Sequence, residues 1–201
     1  MISQQLFFAF AVFAAVMFFT PGPNNIMVMS SGLTYGFRRT LPHITGVVIG
    51  FAFMVGAVGL GFGTIFIAFP VLQVILKYAG AAYLIYLAAA IATSEPVTPG
   101  QDNGRGPMTF WGAVLFQWVN VKGWVMVIGT ITAYAGVASF PWNIVIQVVL
   151  SLLLGVVSTS IWTLSGSSLR ALMTSPRAVR AFNIVMAVLL LASLYPVFMD
   201  A

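Results

Sequence analysis

The chain has 201 residues, of which 61% are hydrophobic and 5% are charged, and its formal net charge is +5. This composition excludes an ordinary soluble domain, in which roughly 25% of residues are charged and roughly 45–50% are apolar. Scattered cations exclude a nucleic-acid surface, and the lack of cysteine excludes disulfides and thiolate metal sites. The composition predicts an integral membrane protein, for which we expect no metal and no cofactor.

Long apolar runs bounded by glycine, proline or charge predict six membrane segments. They cover residues 2–35, 41–68, 71–92, 109–135, 142–169 and 179–198. The runs lack the period-two alternation of barrel strands, and helices satisfy their backbone groups internally, as lipid requires. About 20 residues cross the hydrocarbon, so the longer runs need tilt or breaks. The predicted fold class is an all-α integral membrane protein with six transmembrane helices.

The charges between the segments predict the orientation of the chain. Connections 69–70 and 136–141 carry no cation, whereas the other three connections carry all six arginines: Arg38, Arg39, Arg105, Arg170, Arg177 and Arg180. Positive connections stay on the cytoplasmic side of a membrane. Both termini are therefore expected to be periplasmic, and the polar loop at 93–107 is expected to be cytoplasmic.

The loop at 93–107 divides a single transmembrane transporter domain, 1–201, into two parts. Repeat one covers 1–92, and repeat two covers 108–201. Since each part has three spans, the second enters the membrane from the opposite side to the first. The sequence thus predicts two inverted three-helix repeats, a plan common in secondary transporters, which bind substrate between the repeats.

The first segment contains a polar break of residues that interrupt a helix: Pro21, Gly22, Pro23, Asn24 and Asn25. Two prolines remove two amide donors, which frees the carbonyls of Met17 and Phe19. A helix that restarts here presents N–H groups and the positive end of its dipole, which suit a carboxylate, while the freed carbonyls suit an ammonium group. A plain proline kink is the alternative, but the two adjacent amides favour a polar cavity.

The fourth segment carries Asn120 and Lys122 near its middle. A lysine at the centre of a span must face the interior and find a partner. Snorkelling is the alternative, as we expect for Lys77 near the outer edge of the third segment, but Lys122 lies too deep for it to be easy. The first and fourth helices are therefore predicted to be interrupted at matching positions, and together to form a site for a zwitterion.

These motifs resemble the LysE/RhtB type of amino-acid exporter. The family's first-half signature is found here at nine positions: Pro21, Gly22, Pro23, Asn24, Gly32, Gly36, Arg38, Gly46 and Gly50. Asn120 and Lys122 resemble the family's Asn-Pro-Lys element, with Val121 where proline is usual, so we expect a softer second break. Within the family, the chain looks most similar to the cysteine and O-acetylserine exporter branch.

The resemblance implies a secondary active exporter of small neutral amino acids or their derivatives, in a bacterial inner membrane. Its partners would be a small zwitterionic amino acid and membrane lipids, with no nucleic acid, and the resemblance also suggests a homodimer. Export would use alternating access and the proton-motive force. In this hypothesis, Lys122 and the amides at Asn24 and Asn25 bind the carboxylate of the substrate, while backbone carbonyls and Asn120 bind its ammonium group.

Several alternatives remain open at this stage. No Asp or Glu lies inside a segment, so a transported proton would ride on Lys122, on His43 or on the substrate's amino group. His43, the only histidine, is expected at the membrane interface because it follows Pro42 at a segment boundary. A passive pore is a second function, and an intramembrane hydrolase that uses Ser165 with His43 is a third.

Small residues in the spans also allow two interpretations. The glycine pairs at 32 and 36 and at 46 and 50 let helices approach closely. We expect them to pack segments one and two together, with a dimer face as the alternative. Four hydroxyl residues of segment five could line the cavity or bond their own helix backbone: Ser158, Thr159, Ser160 and Ser165.

Overall fold

The computed structural model describes residues 4–94, 106–173 and 175–195, and these residues form helices and no strand. The first part of the chain contains five helices: α1 (Gln4–Phe19), α2 (Pro23–Tyr35), α3 (Phe37–Ala57), α4 (Gly63–Ala68) and α5 (Pro70–Ala92). The second part contains four: α6 (Phe110–Phe116), α7 (Val121–Ala133), α8 (Trp142–Leu172) and α9 (Pro176–Ala192). An all-α fold is therefore confirmed for the described residues.

Both predicted interruptions are present. The axes of α1 and α2 differ by 47°, and the axis through α6 and the tight turn at Gln117–Val119 differs from that of α7 by 68°. A further irregularity joins α3 to α4 at Val58–Phe62. There Gly61 has φ 116°, a left-handed conformation that favours glycine.

Within the residues that the structure describes, three stretches are long and apolar enough to cross a membrane: Phe37–Ile65, Val74–Ala92 and Trp142–Leu169. The two bent pairs raise the number of candidate spans to five if each pair crosses as one unit. Helix α9 has 17 residues and so falls short of the roughly 20 that cross the hydrocarbon. The sixth span and the inverted repeats therefore stay predictions. The termini and most of the loop at 93–107 lie outside the described residues.

The described helices present apolar side chains outward and keep polar ones inside. Phe8, Trp111 and Leu115 are among many large hydrophobic residues that are exposed. In contrast, several polar side chains are fully buried: Gln117, Gln147, Ser158, Thr163 and Asn183. This distribution suits a chain whose outer solvent is lipid, because buried polar groups then pair with one another and with backbone groups.

The glycine pairs pack helices within the chain, as predicted, but the expected partner helices were wrong. Gly32 of α2 lies against the backbone of Thr163 in α8. Gly46 and Gly50 of α3 lie against α6, where a Cβ atom at residue 50 would approach Cα of Val114 to 2.7 Å. Small residues permit close backbone approach to any helix, so their spacing does not reveal which neighbour they face. Helices α2 and α3 instead join at Gly36, which has φ 81°.

Candidate functional site

The two breaks meet at one small cavity of about 40 Å³. Six of the seven predicted site residues line it: Gly22, Pro23, Asn24, Asn25, Asn120 and Lys122. The seventh, Pro21, contributes its carbonyl oxygen to a bond with Lys122. The remaining wall is largely apolar and comes from α1, α3, α7 and α8: Met17, Phe18, Val47, Val48, Phe51, Gly123, Met126, Gly155 and Thr159. Residues about 100 positions apart in the sequence are thereby brought together.

Lys122 connects the second break to the first. Its Nζ donates to the carbonyl oxygen of Thr20 at 2.7 Å and to that of Pro21 at 3.4 Å. Its side chain runs beside Gly22, where a Cβ atom would lie 2.6 Å from Lys122 Cδ and 2.9 Å from Nζ. Glycine at position 22 is thus needed to leave room for the lysine. The prediction that Lys122 faces inward and finds a partner is confirmed.

The carbonyls that accept at the first break differ from those predicted. We expected the missing proline donors to expose Met17 and Phe19, but the acceptors found are Phe18, Thr20 and Pro21. The last helical bond of α1 runs from Thr20 N–H to the carbonyl of Val16. Beyond it the chain leaves the helix, so the carbonyls that turn toward side chains are set by the path of the backbone as well as by the prolines.

Asn25 stabilises the first break with its side chain. Its Nδ2 donates to the carbonyls of Phe18 at 2.7 Å and Thr20 at 3.1 Å, and only 6% of the residue is exposed. Ser158 of α8 donates to the same Phe18 carbonyl at 2.7 Å. These bonds replace helical bonds that the prolines prevent. The side-chain nitrogen of Asn25 therefore bonds within the protein, and the binding of substrate by the backbone amide at Asn25 stays a prediction.

Among the four hydroxyl residues of segment five, Thr159 takes both predicted roles, whereas Ser158 bonds the carbonyl of another helix. Ser158 bonds the break, and Thr159 lines the cavity while its hydroxyl donates to the carbonyl of Gly155. Ser160 is not among the lining residues, and Ser165 is exposed.

Asn24 pairs with a residue that the sequence analysis did not assign to the site. Asn24 Nδ2 donates to Gln117 Oε1 at 2.8 Å, and Gln117 Nε2 donates back to Asn24 Oδ1 at 3.2 Å. Gln117 is completely buried and also donates to the carbonyl of Ala113. The sequence feature that could have identified Gln117 is a polar amide side chain inside an apolar span. This reciprocal pair joins the first break directly to the fourth segment.

The second break is sharper than the first, so the expectation that Val121 softens it was wrong. Asn120 is extended, with φ −82° and ψ 101°, and the bend of 68° exceeds the 47° of the first break. The indole Nε1 of Trp124 donates to the carbonyl of Trp118 at 2.8 Å. Gly80 of α5 lies against the carbonyl of Val119. Side-chain bonding and close packing thus maintain a break that no proline imposes.

Most of the described helices, including the two that begin at the breaks, start without a side-chain cap. Side-chain oxygens of Thr109 and Ser175 cap the N-termini of α6 and α9. Neither α2 nor α7 has a side-chain cap. Their first intrahelical bonds run from Ile26 to Gly22 and from Trp124 to Asn120, so earlier amides have no acceptor within the helix. Both uncapped N-termini border the cavity, where their dipoles favour an anionic group.

One acceptor in the cavity wall is unused. Asn120 is buried, and its Oδ1 has no hydrogen-bond partner within the part of the chain that the structure describes. Buried amide oxygens are normally paired. An ammonium group is the kind of donor that this oxygen would accept from.

A second and much larger cavity of about 1140 Å³ lies along the C-terminal half of α2. Ser30, Ser31, Thr34 and His43 line one side, and residues of α5 and the start of α6 line the other. His43 is 1% exposed and its Nδ1 lies 3.2 Å from Ser31 Oγ. His43 is thus buried where α3 faces α2, and Pro42 lies inside α3 instead of at its boundary. The expected location of His43 at the membrane interface stays a prediction.

Comparisons with known proteins cover nearly the whole chain. The model of a family described as LysE type translocator matches residues 15–193. A cysteine/O-acetylserine efflux protein of Escherichia coli is 32% identical in an alignment of 196 residues that covers 94% of this chain and 95% of that protein. A protein of the same name from Shigella sonnei has the same identity and coverage. No solved structure shows significant similarity to the chain.

Proposed function

Because the chain belongs to the LysE type translocator family, we propose that it is a secondary exporter of small neutral amino acids such as cysteine or O-acetylserine. Family membership identifies a transporter and not an enzyme, which removes the hydrolase alternative. The observation that carries the proposal is the pairing of opposite polarities in one cavity. Two uncapped helix N-termini and one amine lie beside a set of exposed carbonyls.

The two polarities match the two charged groups of an amino acid. The carboxylate binds Lys122 and the free amides at the start of α2 and α7, where the helix dipoles favour negative charge. The ammonium group binds the carbonyls of Thr20 and Pro21 together with Asn120 Oδ1. The 32%-identical proteins from Escherichia coli and Shigella sonnei, which carry the name cysteine/O-acetylserine efflux protein, favour a substrate with a short side chain.

The apolar wall of the cavity suits such a side chain. Val48, Phe51 and Met126 enclose the space, and Gly155 keeps it from closing. A buried water needs roughly 10–15 Å³ of cavity, so about 40 Å³ holds a few waters and no complete amino acid. The helices around the cavity must therefore rearrange to admit the substrate, as alternating access requires.

The large cavity supports an entry route from the cytoplasm. Its lining includes Tyr35 and His43, which lie three residues before Arg38 and four residues after Arg39, and positive connections mark the cytoplasmic side. Helix α2 borders both cavities, with Asn24 at the small one and Ser30 and Ser31 at the large one. In this proposal, substrate enters the large cavity, reaches the breaks and leaves on the opposite side.

The remaining predictions belong to the same proposal. Six spans form two inverted repeats in a bacterial inner membrane, with both termini periplasmic, and export is an antiport driven by the proton-motive force. Lys122, His43 and the substrate's amino group stay the candidates for the proton carrier. Accessibility labelling tests this topology directly. Because the chain has no cysteine, single cysteines can be introduced into each connection and labelled from either side of the membrane.

Counterflow in proteoliposomes tests the function itself. Vesicles that contain the purified protein are loaded with unlabelled O-acetylserine, and the uptake of labelled O-acetylserine or cysteine is followed. A carrier gives a transient accumulation of label that saturates with substrate concentration. Uptake that rises linearly with concentration, without accumulation, identifies a passive pore and contradicts the proposal.

A further inference from the structure

Lys122 occupies the place where the proposed function puts the substrate's ammonium group. Its Nζ binds the carbonyls of Thr20 and Pro21, and these carbonyls are the acceptors that an amino acid would use. On the basis of the proposed function, we infer that Lys122 is a built-in substitute for that ammonium group. An arriving amino acid displaces Nζ from the carbonyls, and the displaced amine binds the carboxylate of the same molecule.

The chemistry of the two cations makes them mutually exclusive at the carbonyls. A lysine amine and an α-ammonium group are both tetrahedral cations with three donors and no acceptor. Thr20 already accepts from Asn25 as well as from Lys122, so its carbonyl has no lone pair left for a third donor. Two like charges at contact distance also repel strongly where water is scarce. Substrate binding therefore requires Nζ to leave.

The location of Lys122 explains why a carboxylate makes it leave. Lys122 is in the first turn of α7 and its side chain passes the N-terminus of α2, and the dipoles of both helices oppose a cation there. No Asp or Glu occurs among residues 4–94, 106–173 and 175–195, so within them only carbonyl dipoles offset the charge. A substrate carboxylate supplies the missing anion, and it does so at the helix ends that favour it.

The geometry also allows the movement. Lysine has a flexible four-carbon stem, and its far end at Gly22 contacts a residue without a side chain. Thr20 and Pro21 are exposed, so their carbonyls can be reached when Nζ departs. The displacement of Nζ links recognition of the ammonium group to recognition of the carboxylate. A simple amine would also displace Lys122 from the carbonyls, but it brings no carboxylate for the displaced lysine to bind. Lys122 thus makes the site selective for zwitterions over simple amines.

Two variants separate this role from a general effect on the site. Lys122→Met removes both the competing cation and the carboxylate ligand. Gly22→Ala keeps the lysine but places a Cβ atom 2.6 Å from Lys122 Cδ and 2.9 Å from Nζ, which forces the flexible end off the carbonyls. Gly22 has φ −171°, an extended conformation that alanine adopts without strain. If Lys122 competes at the carbonyls, both variants should bind a simple amine more tightly, whereas only Lys122→Met should bind cysteine more weakly.

The experiment measures binding of cysteine and of cysteamine, which lacks the carboxylate, to purified wild-type and variant proteins with comparable melting temperatures. The affinity of wild type for cysteine should exceed its affinity for cysteamine by about tenfold to a hundredfold, which corresponds to one charged hydrogen bond. Gly22→Ala should bind cysteamine at least about threefold more tightly and cysteine no more weakly. Lys122→Met should bind cysteine about tenfold more weakly than wild type and should bind cysteamine more tightly.

The outcomes distinguish this inference from the proposed function. If wild type binds cysteine and performs counterflow but cysteamine affinity is unchanged or lower in both variants, Lys122 does not compete at the carbonyls and this inference alone is overturned. If wild type binds neither cysteine nor O-acetylserine and shows no counterflow, the proposed function fails and the inference fails with it. Should Lys122→Met not fold, the cysteamine affinity of Gly22→Ala decides the question.

Discussion

The break between α1 and α2 and the break between α6 and α7 reach similar arrangements by different means. In the first, Pro21 and Pro23 remove backbone donors, and the side chains of Asn25 and Ser158 bond the carbonyls left behind. In the second, no proline is present. Asn120 turns extended, the indole of Trp124 takes the place of a backbone donor, and the bend is larger. The sharpness of a break is thus not set by its proline content alone.

The two breaks also contribute different polar groups to the site. The first contributes carbonyl oxygens, and the second contributes the amine of Lys122 and the free oxygen of Asn120. Each contributes one uncapped helix N-terminus. A zwitterion therefore needs both breaks, and variants of one break should fail differently from variants of the other.

The largest effect should come from the amine that joins the breaks. Lys122→Met should lower the affinity for cysteine in counterflow by about tenfold, because one charge-assisted bond to the carboxylate is lost. Lys77→Met is the matched control, since it removes the only other lysine, and it should transport like wild type. Equal losses in the two variants would show that the effect is not specific to the site.

The amide pair between the breaks should affect stability more than substrate affinity. Gln117→Leu removes the bonds to Asn24 and to the carbonyl of Ala113 and leaves the amide of Asn24 unpaired. The free energy of unfolding should fall by about 3 kcal/mol, measured by denaturation in detergent. Combining it with Asn24→Leu should destabilise the protein by less than the sum of the two single variants. A strictly additive result would mean that the pair contributes no coupling.

At the first break, Asn25→Leu should destabilise the protein by about 2 kcal/mol, because two bonds to backbone carbonyls are lost. Ser158→Ala is its matched comparison. It removes one bond to the Phe18 carbonyl and should lower the free energy of unfolding by about 1 kcal/mol. Melting temperatures in the same detergent rank the two variants, and the reverse ranking would contradict the structural role given to Asn25.

The smallest effect should follow from placing a proline in the second break. Val121 is the first residue of α7, a position that proline favours, and Asn120 before it is already extended, as a residue preceding proline must be. Val121→Pro should therefore leave stability unchanged or raise it by about 0.4–1 kcal/mol. Pro23→Val at the matching position of α2 should lower it by a similar amount. A large loss from Val121→Pro would show that the amide of residue 121 is needed.

Much of the site could be predicted because its causes are local. Two prolines within three residues interrupt a helix wherever they occur, and a lysine in the middle of a span must turn inward. The roles of three other residues at the breaks could not be predicted in the same way. Each forms a hydrogen bond with a residue that folding or a bend brings near, as Gln117, Ser158 and Trp124 do. The side-chain bonds of Asn25 could not be predicted for a related reason, since an amide beside a break serves equally well as a ligand or as a cap.

The sequence by itself determined that this protein lies in a membrane, that its first and fourth segments break, and which family it resembles, because these follow from apolar length, proline chemistry and motif spacing. Only the tertiary structure decided that Lys122 binds the carbonyls of Thr20 and Pro21, that His43 is buried against Ser31, and that the glycines face α6 and α8. Such contacts join residues far apart in the chain. They depend on which helix faces share an interface, and local sequence does not encode that choice.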